Sequence, residues 1–95
     1  MTTTMIRSET TTRTESATDL LREVLHDTLD RVAGEDPDAF DSRTADGQEL
    51  LSLATLARRA AGTLGADAGT TVASGPGIVV VREFAAAVRL LDQAA

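Results

Sequence analysis

Asp46-Gly47-Gln48-Glu49-Leu50-Leu51-Ser52-Leu53-Ala54 decides the fold, because a loop ends and a long amphipathic helix begins within it. Asp46 can cap that helix, and Glu49 then falls in its first turn beside the positive end of the dipole. Downstream, Leu50, Leu51, Leu53, Ala54, Leu56, Ala57, Ala60, Ala61 and Leu64 keep helical spacing, and Gly65 predicts the stop. Gly62 weakens the last turn. So much of the circumference is apolar that the helix belongs at the centre of a bundle or half under a partner. Arg58-Arg59, the only basic pair of the chain, reads as a solvated patch.

Upstream, residues 35–46 hold Glu35, Asp36, Pro37, Asp38, Asp41 and Asp46 around Ala39-Phe40, which predicts an acidic loop with Phe40 folded back as a core plug. The ligand periodicity and central glycine of a calcium loop are absent, so no metal is expected. Before the loop, Ser16-Ala17-Thr18-Asp19 has the form of a capping box and predicts a first helix to about Ala33, with Gly34 as its stop. Ala17, Leu20, Leu21, Val24, Leu25, Leu29 and Val32 fall on its apolar face. Asp19, Glu23, His26, Asp27 and Asp30 fall on the opposite, solvated one. Residues 1–15 are Thr-rich without apolar periodicity, and predict a disordered tail ahead of a single domain at 16–95.

Residues 66–77 are small and helix-breaking, with room for one short helical turn at Thr70 to Ala73. The Gly75-Pro76-Gly77 cluster reads simply as a turn. The last element runs from Ile78 to about Leu91, with Ile78, Val81, Phe84, Ala85, Val88 and Leu91 at helical spacing. Ile78-Val79-Val80-Val81 has strand propensity. No second strand candidate exists to pair with it, so helix is the prediction. The fold class is therefore all-α.

Ninety-five residues, of which only Phe40 and Phe84 are aromatic, allow one small aliphatic core. A net charge of −6 and nine scattered arginines argue against nucleic acid and for a basic partner surface. The chain has no cysteine, and therefore no disulfide, thiolate metal site or thiol nucleophile. Neither a secretory signal nor an apolar run long enough for a membrane span is visible, so a cytoplasmic monomer is expected. The single histidine, His26, lies near Glu23 and Asp30 by helical spacing, with neither nucleophile nor pocket in view. No catalytic residue is assigned.

Gly47-Gln48-Glu49-Leu50-Leu51 resembles the Gly-Leu-Asp-Ser-Leu signature of acyl and peptidyl carrier proteins. Leu20-Leu21-Arg22-Glu23-Val24-Leu25 is similar to that family's first helix, and Val81-Arg82-Glu83-Phe84-Ala85 to the start of its last. The register follows from spacing. Counted from Leu50, the family's apolar positions fall on Leu51, Ala54, Leu56, Ala60 and Leu64, followed at once by Gly65. Counted from Ser52, they include Arg58 and Gly62 and the pattern breaks.

The resemblance implies an acyl-carrier-like bundle of three longer helices plus one short helix. It also implies that Leu50 stands where the family has the serine that carries phosphopantetheine. Leucine has no hydroxyl, so the implied function is a non-catalytic carrier-like protein without the arm and without a cofactor. It would act by contact with biosynthetic enzymes or other carrier domains in a polyketide, fatty-acid or nonribosomal-peptide type pathway. Asp46, Glu49, Leu50 and Leu51 would form the contact, with the two leucines as an apolar spot. Two alternatives remain: a working carrier with phosphopantetheine on Ser52, and a helical interaction module of unrelated origin.

Overall fold

The computed structural model contains three helices, α1 (Thr2–Ala33), α2 (Ala45–Thr63) and α3 (Gly77–Ala94), and a 3-10 turn at Pro37–Phe40. It describes residues 17–95 with their side chains. The expected tail at 1–15 and Ser16 of the expected capping box lie outside them. No strand occurs among the described residues, and Ile78 to Val81 are helical. None of their helices is long and apolar enough to cross a membrane.

Side-chain contacts fix the directions of the helices. Arg22 and His26 of α1 reach Asp92 near the end of α3. Leu64 and Ala66, at the end of α2, share a cleft with Leu90 and Ala94, at the end of α3. Gly47 and Gly77, in the first turns of α2 and α3, both pack on the loop segment Pro37–Asp41. Hence α2 and α3 run parallel and α1 runs antiparallel to both. A parallel pair requires the connection at 64–76 to travel back along the bundle. It carries no helix, so the expected turn at Thr70 to Ala73 is absent and the short element sits in the first loop instead. The reason is local. Pro37 begins the 3-10 turn with its φ preset, and the Asp36 carboxylate accepts the Asp38 N–H at 3.0 Å. Gly69 and Gly75, by contrast, hold positive φ of 64° and 153° within the crossover.

Helix ends follow backbone chemistry. α2 starts at Ala45, earlier than an Asp46 cap would place it. Thr44 is the cap, its hydroxyl accepting the Gly47 N–H at 3.0 Å and donating to the Asp41 carbonyl at 2.8 Å. At the other end Gly65 (φ 97°) closes a Schellman motif: the Gly65 N–H donates to the Gly62 carbonyl and the Ala66 N–H to that of Ala61.

The core joins Leu25 and Val32 of α1, Phe40 of the loop, Leu50, Leu51, Ala54, Ala57 and Ala61 of α2, and Val80, Phe84, Ala87, Val88 and Leu91 of α3. Three alanines at zero exposure on α2 leave room for α3 to approach closely, and Phe84, the largest fully buried side chain, fills the centre. Phe40 is the core plug the sequence predicts. α1 departs from its predicted face: Leu25 and Val32 are buried, whereas Leu20 and Val24 are exposed.

At two places the loop and helix backbones leave no room for a side chain. A Cβ on Gly47 would overlap the carbonyls of Phe40 and Asp41, and one on Gly77 would overlap the carbonyl of Pro37 and stand 3.1 Å from the Asp38 Cα. Backbone cannot yield as a flexible side chain does. Gly47→Ala and Gly77→Ala should therefore each destabilise by about 1–3 kcal/mol. Gly→Ala within an unobstructed helix stabilises by up to about 1 kcal/mol. Gly62→Ala, whose Cβ would meet only the Ala68 Cβ at 3.9 Å, should show that gain. Urea denaturation reads all three signs, and a gain at Gly47 or Gly77 would mean the close approach is absent.

Candidate functional site

The start of α2 lies where the acidic loop, the end of α1 and the first turn of the helix converge. Thr44 caps the helix, Gly47 is pressed against the loop, and the turns that follow point alternately outward and inward. Asp46 and Glu49 are exposed. Leu50 and Leu51 turn inward at 2 % and 6 % exposure and join the core. The expected apolar spot at this end is thus corrected. With the helix starting at Ala45, Leu50 lies in its second turn and on the same side as Ala54, Ala57 and Ala61. Ser52 is exposed on the outer side of α2.

A cleft of about 260 Å³ lies beside Leu50, lined by Arg31, Glu35, Phe40, Asp46 and Glu49. Its rim is mostly anionic, with Arg31 as the counter-charge. The loop below is held by its own polar groups. The backbone N–H and side chain of Arg43 both donate to Asp41, at 2.9 and 3.3 Å, and hold that carboxyl below the ordinary carboxylate range. Gln48 donates to the Ser42 carbonyl. Ser42 also ties in the crossover: its N–H donates to the Gly75 carbonyl at 3.1 Å, and its Oγ accepts the Gly75 N–H at 2.9 Å. The Gly-Pro-Gly segment is therefore more than a turn, since its first and last residues both contact the loop that precedes α2.

Arg58 corrects the expectation of a solvated patch. Its side chain is only 19 % exposed, and its guanidinium meets the Glu83 carboxylate of α3 at 2.9 and 3.0 Å and donates to the Ala68 carbonyl of the crossover. A fork of donors suits this role, joining two helices and a loop at one point. Arg59, next to it, is exposed. Glu83 of the Val-Arg-Glu-Phe-Ala segment is thus a structural partner, and the following residue is the central Phe84.

His26 is at the surface but does not use its helical neighbours Glu23 and Asp30. It meets Asp92 of α3 at 2.7 Å, and Arg22 donates to the same carboxylate at 3.1 Å. Nothing in the sequence joins positions 66 to 70 residues apart; only the antiparallel packing of α1 on α3 does. Among the described residues no group of three or more His, Asp or Glu could hold a metal ion.

Burial alone would raise the Asp92 carboxyl. Hydrogen bonds and charge from His26 and Arg22 outweigh it and hold the group below the ordinary range. A depressed carboxylate stabilises the fold above its unfolded value, and the gain disappears as pH falls through the folded value. Asp92→Asn should accordingly cost roughly 0.5–1 kcal/mol near pH 7, since both of its partners, Arg22 and His26, are partly exposed. The difference from wild type should close on acidification below the ordinary carboxylate range. Thermal melts of both proteins across pH 2–7 measure it, and a gap that stays constant would contradict the pairing.

No protein-family model matches the chain, and comparisons with curated proteins and with solved structures find no match.

Proposed function

We propose that this chain is a carrier-like protein without a phosphopantetheine arm, acting by contact with enzymes or carrier domains of a biosynthetic pathway. The observation that carries the reading is Leu50. The position matching the family's attachment serine holds a side chain with no nucleophilic oxygen, and that side chain is buried in the core. The order of elements that underlies the resemblance supports it: a first helix, an acidic loop, a central helix ended by Gly65, and a last helix from Gly77 that carries Val81-Arg82-Glu83-Phe84. At the start of α2 the contact surface is Asp46 and Glu49 together with the acidic loop, a charged surface suited to a basic partner. Ser52, exposed on α2, favours one second reading, a carrier modified at that residue.

Incubation with a broad-specificity phosphopantetheinyl transferase and coenzyme A should leave the intact mass unchanged. A gain of one phosphopantetheine group would overturn the arm-less reading, and its loss in Ser52→Ala would assign the arm to that serine. Leu50→Ser should remain unmodified as well and should lose stability by about 2–5 kcal/mol, because it empties a core position and buries a hydroxyl.

A further inference from the structure

α1 carries two rows of exposed side chains. Leu20 and Val24, four residues apart, are 60 % and 53 % exposed, the highest values among the large exposed apolar side chains of the described residues. Asp19, Glu23 and Asp27, again four apart, form the row beside them and are also exposed. Asp19 lies 3.9 Å from Arg22, whose guanidinium is already bound to Asp92, and neither Glu23 nor Asp27 makes an ion pair among the described residues. Like charges at this spacing weaken an isolated helix, and exposed leucine and valine gain nothing from water. Both deficits are removed by one kind of neighbour.

We propose that this face of α1 docks an amphipathic helix of a partner protein, one whose apolar row is flanked by lysine or arginine. Leu20 and Val24 have the spacing of anchors in helix–helix recognition, and the acidic row supplies the complementary charge. A second copy of the chain fits poorly. Two α1 faces laid antiparallel would set Glu23 and Asp27 of one against the same acids of the other. The surface lies on α1 and is separate from Asp46 and Glu49 at the start of α2, so it does not depend on the carrier-like reading.

A synthetic helical peptide with leucines along one side and lysines flanking them is the probe, titrated against the full chain at 0.15 M salt. Binding should weaken about ten-fold or more in Leu20→Gln/Val24→Gln. It should also weaken in Glu23→Gln/Asp27→Asn, and stay unchanged in Asp67→Asn, an exposed acid of the crossover. All five side chains are exposed, so circular dichroism and melting temperature should stay near wild type and confirm folding. Absence of binding, or binding indifferent to the Leu20/Val24 pair, would overturn the proposal. So would sedimentation showing a dimer that the same pair of substitutions dissociates, since the occupant would then be a second copy.

Discussion

Two helices begin against the same short piece of backbone. Gly47 and Gly77 lie so close to the Pro37–Asp41 segment that neither tolerates a Cβ, and the mutual setting of α2 and α3 follows from that double approach. It makes α2 and α3 parallel, which forces the crossover to run back along the bundle. It sets Phe40 between the helices as a plug, and it leaves Ser42 in reach of Gly75. From there the helices close on Phe84 and a row of alanines, and Arg58 joins α2, α3 and the crossover through Glu83 and Ala68. α1 is the least integrated element. Two of its described side chains, Leu25 and Val32, are in the core, and Arg22 and His26 both tie to one carboxylate, Asp92.

That arrangement bears directly on function. With Gly47 pinned at the loop, α2 has one rotational setting, and it turns Leu50 inward and Glu49 outward. Leu50, the residue that the resemblance sets against the carrier serine, is part of the core. The end of the bundle that the resemblance marks as a contact surface is charged, whereas the exposed apolar groups with an acidic flank are on α1.

Periodicity made the helices legible. α2 and the helical state of Ile78 to Val81 followed from spacing and from the lack of a partner strand, and Gly34 and Gly65 marked their stops correctly. Phe40 was legible because an aromatic residue amid six charges has few other places to go. The cap at Thr44 was not, because Asp46 was an equally good oxygen two residues on, and only the Asp41 carbonyl decides between them. Leu50 and Leu51 were expected at the surface because the resemblance marks this end of the helix as a contact, whereas their spacing with Ala54, Ala57 and Ala61 puts them on the core side. The roles of Gly47 and Gly77, the burial of Arg58 and the pairing of His26 with Asp92 depend on segments distant in sequence, and no local pattern encodes them. Leu20 and Val24 kept helical spacing with Leu25, but a short bundle covers only one side of so long a helix, and spacing alone does not say which.

The parallel setting of α2 and α3 on one loop is the claim on which the rest stands, and solution NMR tests it most directly. Short interproton distances are expected between the α protons of Gly77 and Asp38, and between those of Gly47 and Asp41. Contacts of Gly77 with Leu64 or Gly65 instead, with none to the first loop, would describe an antiparallel hairpin of α2 and α3 and contradict the arrangement.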